Sequence, residues 1–199
     1  ALLIFDEPEI HLHPYLQRTL IKDIYKLALG QDEPFNNLLN EYFGITKISA
    51  QIIITTHSPN MLDDDYTKII RMFKKDDFTA AVSCANMRLQ SKEEKHLLMQ
   101  FEYIKEAVFS RAAIIVEGES EYGSFKMFAD TLGVDFDKEG IALIRAGAAD
   151  SIIPIIKLFN KLQIKAVGVI DNDKKIEKNL PEEEYLFYTK SKCFDSEIV

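Results

Sequence analysis

Two short apolar runs that stop abruptly at carboxylates constrain this chain more than any other feature. One is Ile114-Ile-Val-Glu117-Gly-Glu-Ser-Glu121; the other, about fifty residues on, is Ala166-Val-Gly-Val-Ile-Asp171-Asn-Asp173. Runs of this length read as buried strands of a parallel sheet. In an open α/β sheet, the carboxyl ends of neighbouring strands face one crevice, where ligands bind. Four acids gathered there repel one another, at roughly 4 kcal/mol for a pair about 4 Å apart at an effective dielectric near 20. A hard divalent cation is the natural remedy, since Mg²⁺ takes carboxylate oxygen and keeps waters for substrate phosphates. The pattern points to metal-dependent phosphoryl transfer.

The local spacing agrees. Glu117 closes a strand, Gly118 permits a tight turn, and Ser120 is placed to cap a helix running toward Leu132. Glu121 then falls in the first helical turn, facing back toward Glu117. Asp171 and Asp173 are two apart, so in extended backbone they share a face. Each piece alone has a plainer reading: acids suit a first helical turn for dipole reasons, and an Asp-x-Asp after a strand also suits a solvated loop. Their order on successive strands is what favours a site.

The 199 residues include 47% hydrophobic and 28% charged side chains, enough for one large or two small globular domains. The longest apolar runs are strand-sized, far short of the ~20 residues of a membrane helix. Nothing resembles a signal peptide, so a cytoplasmic protein without membrane contact is expected. Cys84 and Cys193 show no paired spacing and fit a reducing compartment rather than a zinc or disulfide site. The net charge of −8 argues against a generic nucleic-acid coat protein but not against a nuclease, whose acids are offset by metal. Arg145, Lys174, Lys175, Lys190 and Lys192 supply positive charge beside the acids.

A second motif pair occupies the first half. Ala1-Leu-Leu-Ile-Phe-Asp6-Glu7-Pro8 has the form of a Walker B strand, whose Asp holds Mg²⁺ and whose Glu orients the attacking water. In Glu9-Ile-His-Leu-His13-Pro14, Pro14 suits the first position of a helix reaching about Leu29. His11 and His13 are read as shaping the loop before it. After a polar, loop-rich stretch, Gln51-Ile-Ile-Ile-Thr-Thr56-His57-Ser58-Pro59 is another buried-type strand, and His57 sits where a switch histidine contacts the γ-phosphate.

The order DEPEIHLHP, TTHSP, VEGESE and a strand ending in DND resembles the OLD (overcoming-lysogenization-defect) nuclease family, including the nuclease subunit of Gabija anti-phage systems. The resemblance covers nearly the whole chain. It implies an α/β protein: the C-terminal half of an ABC-type ATPase domain followed by a Toprim domain, a Rossmann-like parallel-sheet fold. No GxxxxGK followed by Ser or Thr is present, and the Q-loop and signature helix are also missing, so the chain is expected to be a fragment beginning at Walker B.

On this reading residues 1–85 are the ATPase part, with strands near 68–73 and 79–83 forming a hairpin. The acidic run Asp63–Asp65 is a solvated turn, 86–110 a connecting helix with its boundary near 105–110, and 111–199 the Toprim domain. That domain is expected to run strand 112–116, helix 120–132, strand 141–145, helix 151–162 and strand 166–170. Asp150 would cap the second helix, Pro154 would lie in its first turn, and Asp173–Glu184 would be a charged loop.

The resemblance implies catalytic roles for Glu7, His57, Glu117 and Asp171. It implies ATP contacts through Asp6, Glu7 and His57, and metal ligands at Asp6, Glu117, Glu121, Asp171 and Asp173. A further acidic position would be filled by Glu197 or Asp195, which would equally suit a solvated helix start. One or two Mg²⁺ or Mn²⁺ ions, ATP with Mg²⁺, DNA, a homo-oligomer (dimer or tetramer) and an accessory defence protein follow as cofactors and partners. The expected activity is ATP-regulated, metal-dependent DNA endonuclease action in anti-phage defence. Two other readings stand beside it: a RecF- or SMC-like ATPase whose Toprim-like domain only binds, and a response-regulator or HAD-type phosphotransfer domain. The latter needs an Asp nucleophile where Glu117 stands.

Overall fold

The structure, a computed structural model, describes residues 1–196. The chain divides into two compact units, 1–63 and 64–199.

In the first unit, β1 (Leu2–Asp6) pairs in parallel with β2 (Gln51–Thr55), with Asp6 opposite Thr55. Between them lie α1 (Pro14–Ala28) and α2 (Glu33–Phe43). Pro14 takes the first helical position, where no N–H is needed, and the His13 side chain caps the turn. Ile24 and Ala28 are the buried residues of α1. Helix α2 corrects the loop expected for this stretch. Its asparagines weaken the helical signal and none of its residues is buried, but the Asp32 side chain accepts the Phe35 N–H at 2.8 Å and Gly44 ends it at φ 67°.

The second unit opens with the antiparallel pair β3 (Ile70–Lys75) and β4 (Phe78–Ser83), then α3 (Ser91–Ile104). Next come β5 (Ala112–Val116), α4 (Glu119–Thr131), the short α5 (Phe136–Glu139), β6 (Ile141–Arg145), α6 (Ala149–Lys161), β7 (Lys165–Ile170), α7 (Asn172–Lys178) and β8 (Leu186–Tyr188). The last four strands form an all-parallel sheet in the order β6-β5-β7-β8. Ile115, Ile152, Ile156, Phe159 and Ile170 are among its fully buried side chains. Gly168 on β7 admits α6 closely: a Cβ there would meet Ile152 Cγ2 at 2.5 Å.

The division between the compact units falls at 63/64, ahead of the hairpin. The Arg71 guanidinium explains why the hairpin belongs to the second unit, since it donates to the carbonyls of Leu162, Gln163 and Ser110. Asp64 is solvated, as expected of the acidic turn, and also pairs at 2.6 Å with the nearly buried Lys105.

Four local expectations are corrected. Gly118, not Ser120, precedes α4, and Ala148, not Asp150, precedes α6. Asp150 instead pairs with Lys178 at 2.9 Å and Lys92 at 3.3 Å. Pro154 lies inside α6, beyond its first turn. The charged stretch from Asn172 forms α7, ending at Lys178, with three lysines and the i,i+3 pair Lys174–Glu177 at 2.7 Å. No helix among the described residues is long and apolar enough to cross a membrane.

Candidate functional site

From β5 the chain crosses to β6 on one side, and from β7 it passes to β8 on the other. The carboxyl ends of β5 and β7 therefore flank the point where the connections diverge, the place where open α/β sheets hold ligands. Strand pairing sets Val116 opposite Val169, which brings Glu117 and Asp171 to the same edge.

The first acidic turn is tight by construction. The Gly118 N–H donates to Glu121 Oε2 at 3.1 Å, and a Cβ at Gly118 would come within 2.9 Å of that oxygen. Glu121 is 5% exposed, so one of its oxygens is spent on holding the turn. Glu119 pairs with Arg145 at the end of β6. Burial above all, then the charges of Asp171 and Glu121, pushes the Glu117 carboxyl above the ordinary carboxylate range; Lys174 and the Asp171 N–H oppose this.

Asp171 is the residue before α7, and Asp173 lies in the first turn of that helix. The two acids are thus not on one face of an extended strand; helical backbone begins between them. Asp171 Oδ1 accepts the Phe194 N–H at 2.8 Å. Burial again leads in raising Asp171, with the charges of Asp173 and Asp195 adding to it and the Phe194 bond acting against it.

Glu117 Oε2 and Asp173 Oδ1 are both buried without a hydrogen-bond partner. Buried carboxylate oxygens without donors are costly and rare, and two at one sheet edge fit a cation. Among the described residues, no three His, Cys, Asp or Glu side chains stand close enough to form a ready metal cage. The described acids share one sheet edge without assembling into a three-ligand cage. Glu197 lies outside the described residues, and Asp195 reaches Asp171 through its charge.

The other motif pair sits at the carboxyl ends of β1 and β2. The Thr55 hydroxyl donates to Asp6, and His57 Nε2 stands 3.1 Å from Glu7 Oε1. Glu7 adopts φ 43°, a left-handed conformation costly for a residue with a side chain, and its N–H bonds Thr55 O at 3.0 Å. The sequence reading gave no role to Glu9. At 7% exposure, it receives the Thr56 hydroxyl and, at 3.2 Å, the His57 N–H, so it ties the acidic turn to the histidine loop. An acid inside an otherwise apolar-flanked loop, three residues after Asp6, was the available signal. His13 caps α1, as a loop-shaping role requires, and His11 has φ 68° in the same loop.

Comparison with known proteins bears on both segments. Residues 108–173 match the family model described as overcoming lysogenization defect protein-like, Toprim domain, and residues 1–62 match an AAA ATPase domain. The chain is 28% identical to OLD nuclease of Thermus scotoductus over 86% of its own length and 30% of that protein. It is 26% identical to Endonuclease GajA of Bacillus cereus, covering 86% of this chain and 26% of that one. It is 21% identical to Old nuclease of Escherichia phage P2, covering 87% and 28%. The chain therefore spans less than a third of the length of these curated relatives. With an AAA ATPase segment followed by an OLD-like Toprim domain, the chain has the domain order of, and is similar to, the nucleases of the OLD family.

Proposed function

We propose that the chain is the catalytic portion of an ATP-regulated, divalent-metal-dependent DNA endonuclease. The observation that carries this reading is the pair of buried, donorless oxygens on Glu117 and Asp173, set among carboxyls whose proton affinity is raised. Glu117, Asp171 and Asp173, with Glu121 behind them, would hold one or two Mg²⁺ or Mn²⁺ ions, whose chemistry there is to neutralise phosphate charge and supply a nucleophilic water near neutral pH. Glu117 and Asp171 orient toward the reacting phosphate, while Glu121 keeps the Glu117 turn closed. Lys174, close enough to lower the Glu117 carboxyl's proton affinity, brings positive charge to a substrate strand.

The ATPase segment is the regulatory half of this proposal. Asp6 and Glu7 would serve nucleotide hydrolysis, and His57, in contact with Glu7, would sense the terminal phosphate. Nucleotide-driven assembly of a homo-oligomer would control access of DNA, and the family resemblance suggests anti-phage defence with an accessory protein. The deciding experiment incubates supercoiled plasmid with Mn²⁺ and the wild-type or Glu117→Ala protein. Wild type should nick the plasmid, and E117A and D171A should lose at least a hundredfold in rate with their folded spectra intact. Cleavage by E117A at the wild-type rate would sink the assignment.

A further inference from the structure

The segment after β8 has no role in the proposal above, yet it makes three bonds to the start of α7. Thr189 Oγ1 accepts the Asn172 N–H at 3.0 Å and donates to Ser191 O at 3.0 Å. Lys192 O accepts the Asp173 N–H at 3.0 Å, and the Phe194 N–H donates to Asp171 Oδ1 at 2.8 Å. Asp171 is the N-cap residue of α7 but makes no capping bond of its own. Residues 189–194 cap the helix in its place, which leaves the Asp171 carboxylate gripped from outside.

That grip needs an anchor. The Phe194 turn is a three-residue 3₁₀ element, too short to hold itself in place. Phe194 is 8% exposed, and its ring lies 5.9 Å from Phe125 and 6.4 Å from Phe128, both on α4. Those two rings are 6.4 Å apart and complete a triangle. These separations and tilts are those of favourable aromatic packing. Helix α4 is also the one that carries Glu121. Strand pairing fixes the backbones of the two acidic turns; the three rings add a side-chain tie between the helix of one turn and the carboxylate of the other.

We propose that Phe194 is a positioning residue for the acidic site: its ring, wedged on Phe125 and Phe128, immobilises the N–H that aims Asp171 at the cation shared with Glu117. The inference rests on the metal-site reading. Without an immobile donor, Asp171 is free to rotate away from Asp173 and Asp195, whose charges press on it. Groups that orient a metal ligand typically contribute 10–100-fold in metal affinity.

The test is Mn²⁺ titration of the full chain by calorimetry, with circular dichroism to establish folding. Phe194→Ala should weaken Mn²⁺ binding about tenfold, and F194L, which keeps an apolar wedge on the same backbone, should recover most of the loss. In a double-mutant cycle F194A should add little to D171N, because both act through one carboxylate. Wild-type affinity in a folded F194A protein overturns the inference, as does full additivity with D171N. If F194A fails to fold, F128A takes its place and must show a smaller loss of the same kind; unchanged affinity there also overturns it. Unchanged Mn²⁺ binding in D171N alone would instead overturn the site itself.

Discussion

The two units place acids at the same point of the same construction, the carboxyl end of a parallel strand, and treat them differently. In the first, Asp6 has the Thr55 hydroxyl, Glu7 has His57, and Glu9 takes Thr56 and the His57 N–H on Oε1, while its Oε2 is buried without a donor. In the second, Glu117 and Asp173 each keep a buried oxygen with no donor, and burial and neighbouring charge raise Glu117 and Asp171. Protein groups meet most of the electrostatic demand of the first set. On the proposed reading, the second leaves its demand to a cation. The sheets differ in step: β1 and β2 expose Leu2, Ile4 and Ile53, whereas β5 and β7 bury Ile115, Val116 and Ile170 completely. A tightly packed sheet can hold like charges together where a loosely covered one would let them splay.

The largest test of that contrast is mechanical. Gly168→Val would drive branched methyls into Ile152, Ile156 and Leu186, whose atoms lie 2.5–3.1 Å from a Cβ at that position. It should cost about 3 kcal/mol or more and remove Mn²⁺ binding with it. Replacing Ile4 of β1, itself 65% exposed, by Thr should cost under about 0.5 kcal/mol. Urea unfolding compares the two; equal costs would show that the sheets are not differently packed.

The next test asks which unit answers to metal. Mn²⁺ at a hundred times its dissociation constant should stabilise the second unit by about 2.7 kcal/mol. Hydrogen exchange should show added protection in β5, β7 and α7 and none in β1 or β2. The gain should shrink as pH falls, because protons bind carboxyls that are already raised and so compete with the ion. Protection confined to the first unit, or a gain that grows with acid, would reverse the comparison.

Much of this architecture was legible in the residues. The parallel core strands end at Val116, Arg145 and Ile170, because five- or six-residue apolar runs that stop at a charged residue leave few alternatives. What escaped detection lacked a buried apolar face: α2 carries Phe35, Leu38, Leu39, Tyr42 and Phe43 at helical spacing, a signal masked by its asparagines. Helix α2 has no buried face, and α7 is held by ion pairs and by the 189–194 segment. Capping was misjudged at Ser120 and Asp150 for a different reason: at the first, the local bond from the Gly118 N–H to Glu121 starts the helix earlier, and at the second, Lys92 and Lys178 hold the Asp150 carboxylate. The site acids were visible as strand-end carboxylates. The Phe194 bond to Asp171 and the Glu9 bridge were not, since each joins residues with no sequence periodicity between them.

The smallest expected effects carry the clearest signs. Without metal, Glu117→Gln should stabilise the second unit at pH 7 by up to ~1 kcal/mol, about 2–4 °C for a chain of this size, because it removes a charge that burial and two acids oppose. A carboxyl raised by folding binds protons more tightly in the native state. Its penalty is therefore full above the folded pKa and fades as pH falls through it toward the ordinary ~4.3, so the E117Q advantage should vanish in acid. Asp150 provides the opposite case, held low by its bond to Lys178, with Lys92 also lowering it against the cost of burial. Asp150→Asn should cost about 0.5 kcal/mol at pH 7 after solvent screening, a cost present above the unfolded ~3.9 and lost as pH falls through the lower folded value. Thermal melts of both variants from pH 7 to pH 3 should thus converge on wild type from opposite sides. If E117Q were destabilising in metal-free buffer, Glu117 would have a partner that offsets its burial, and the case for a cation beside it would fail.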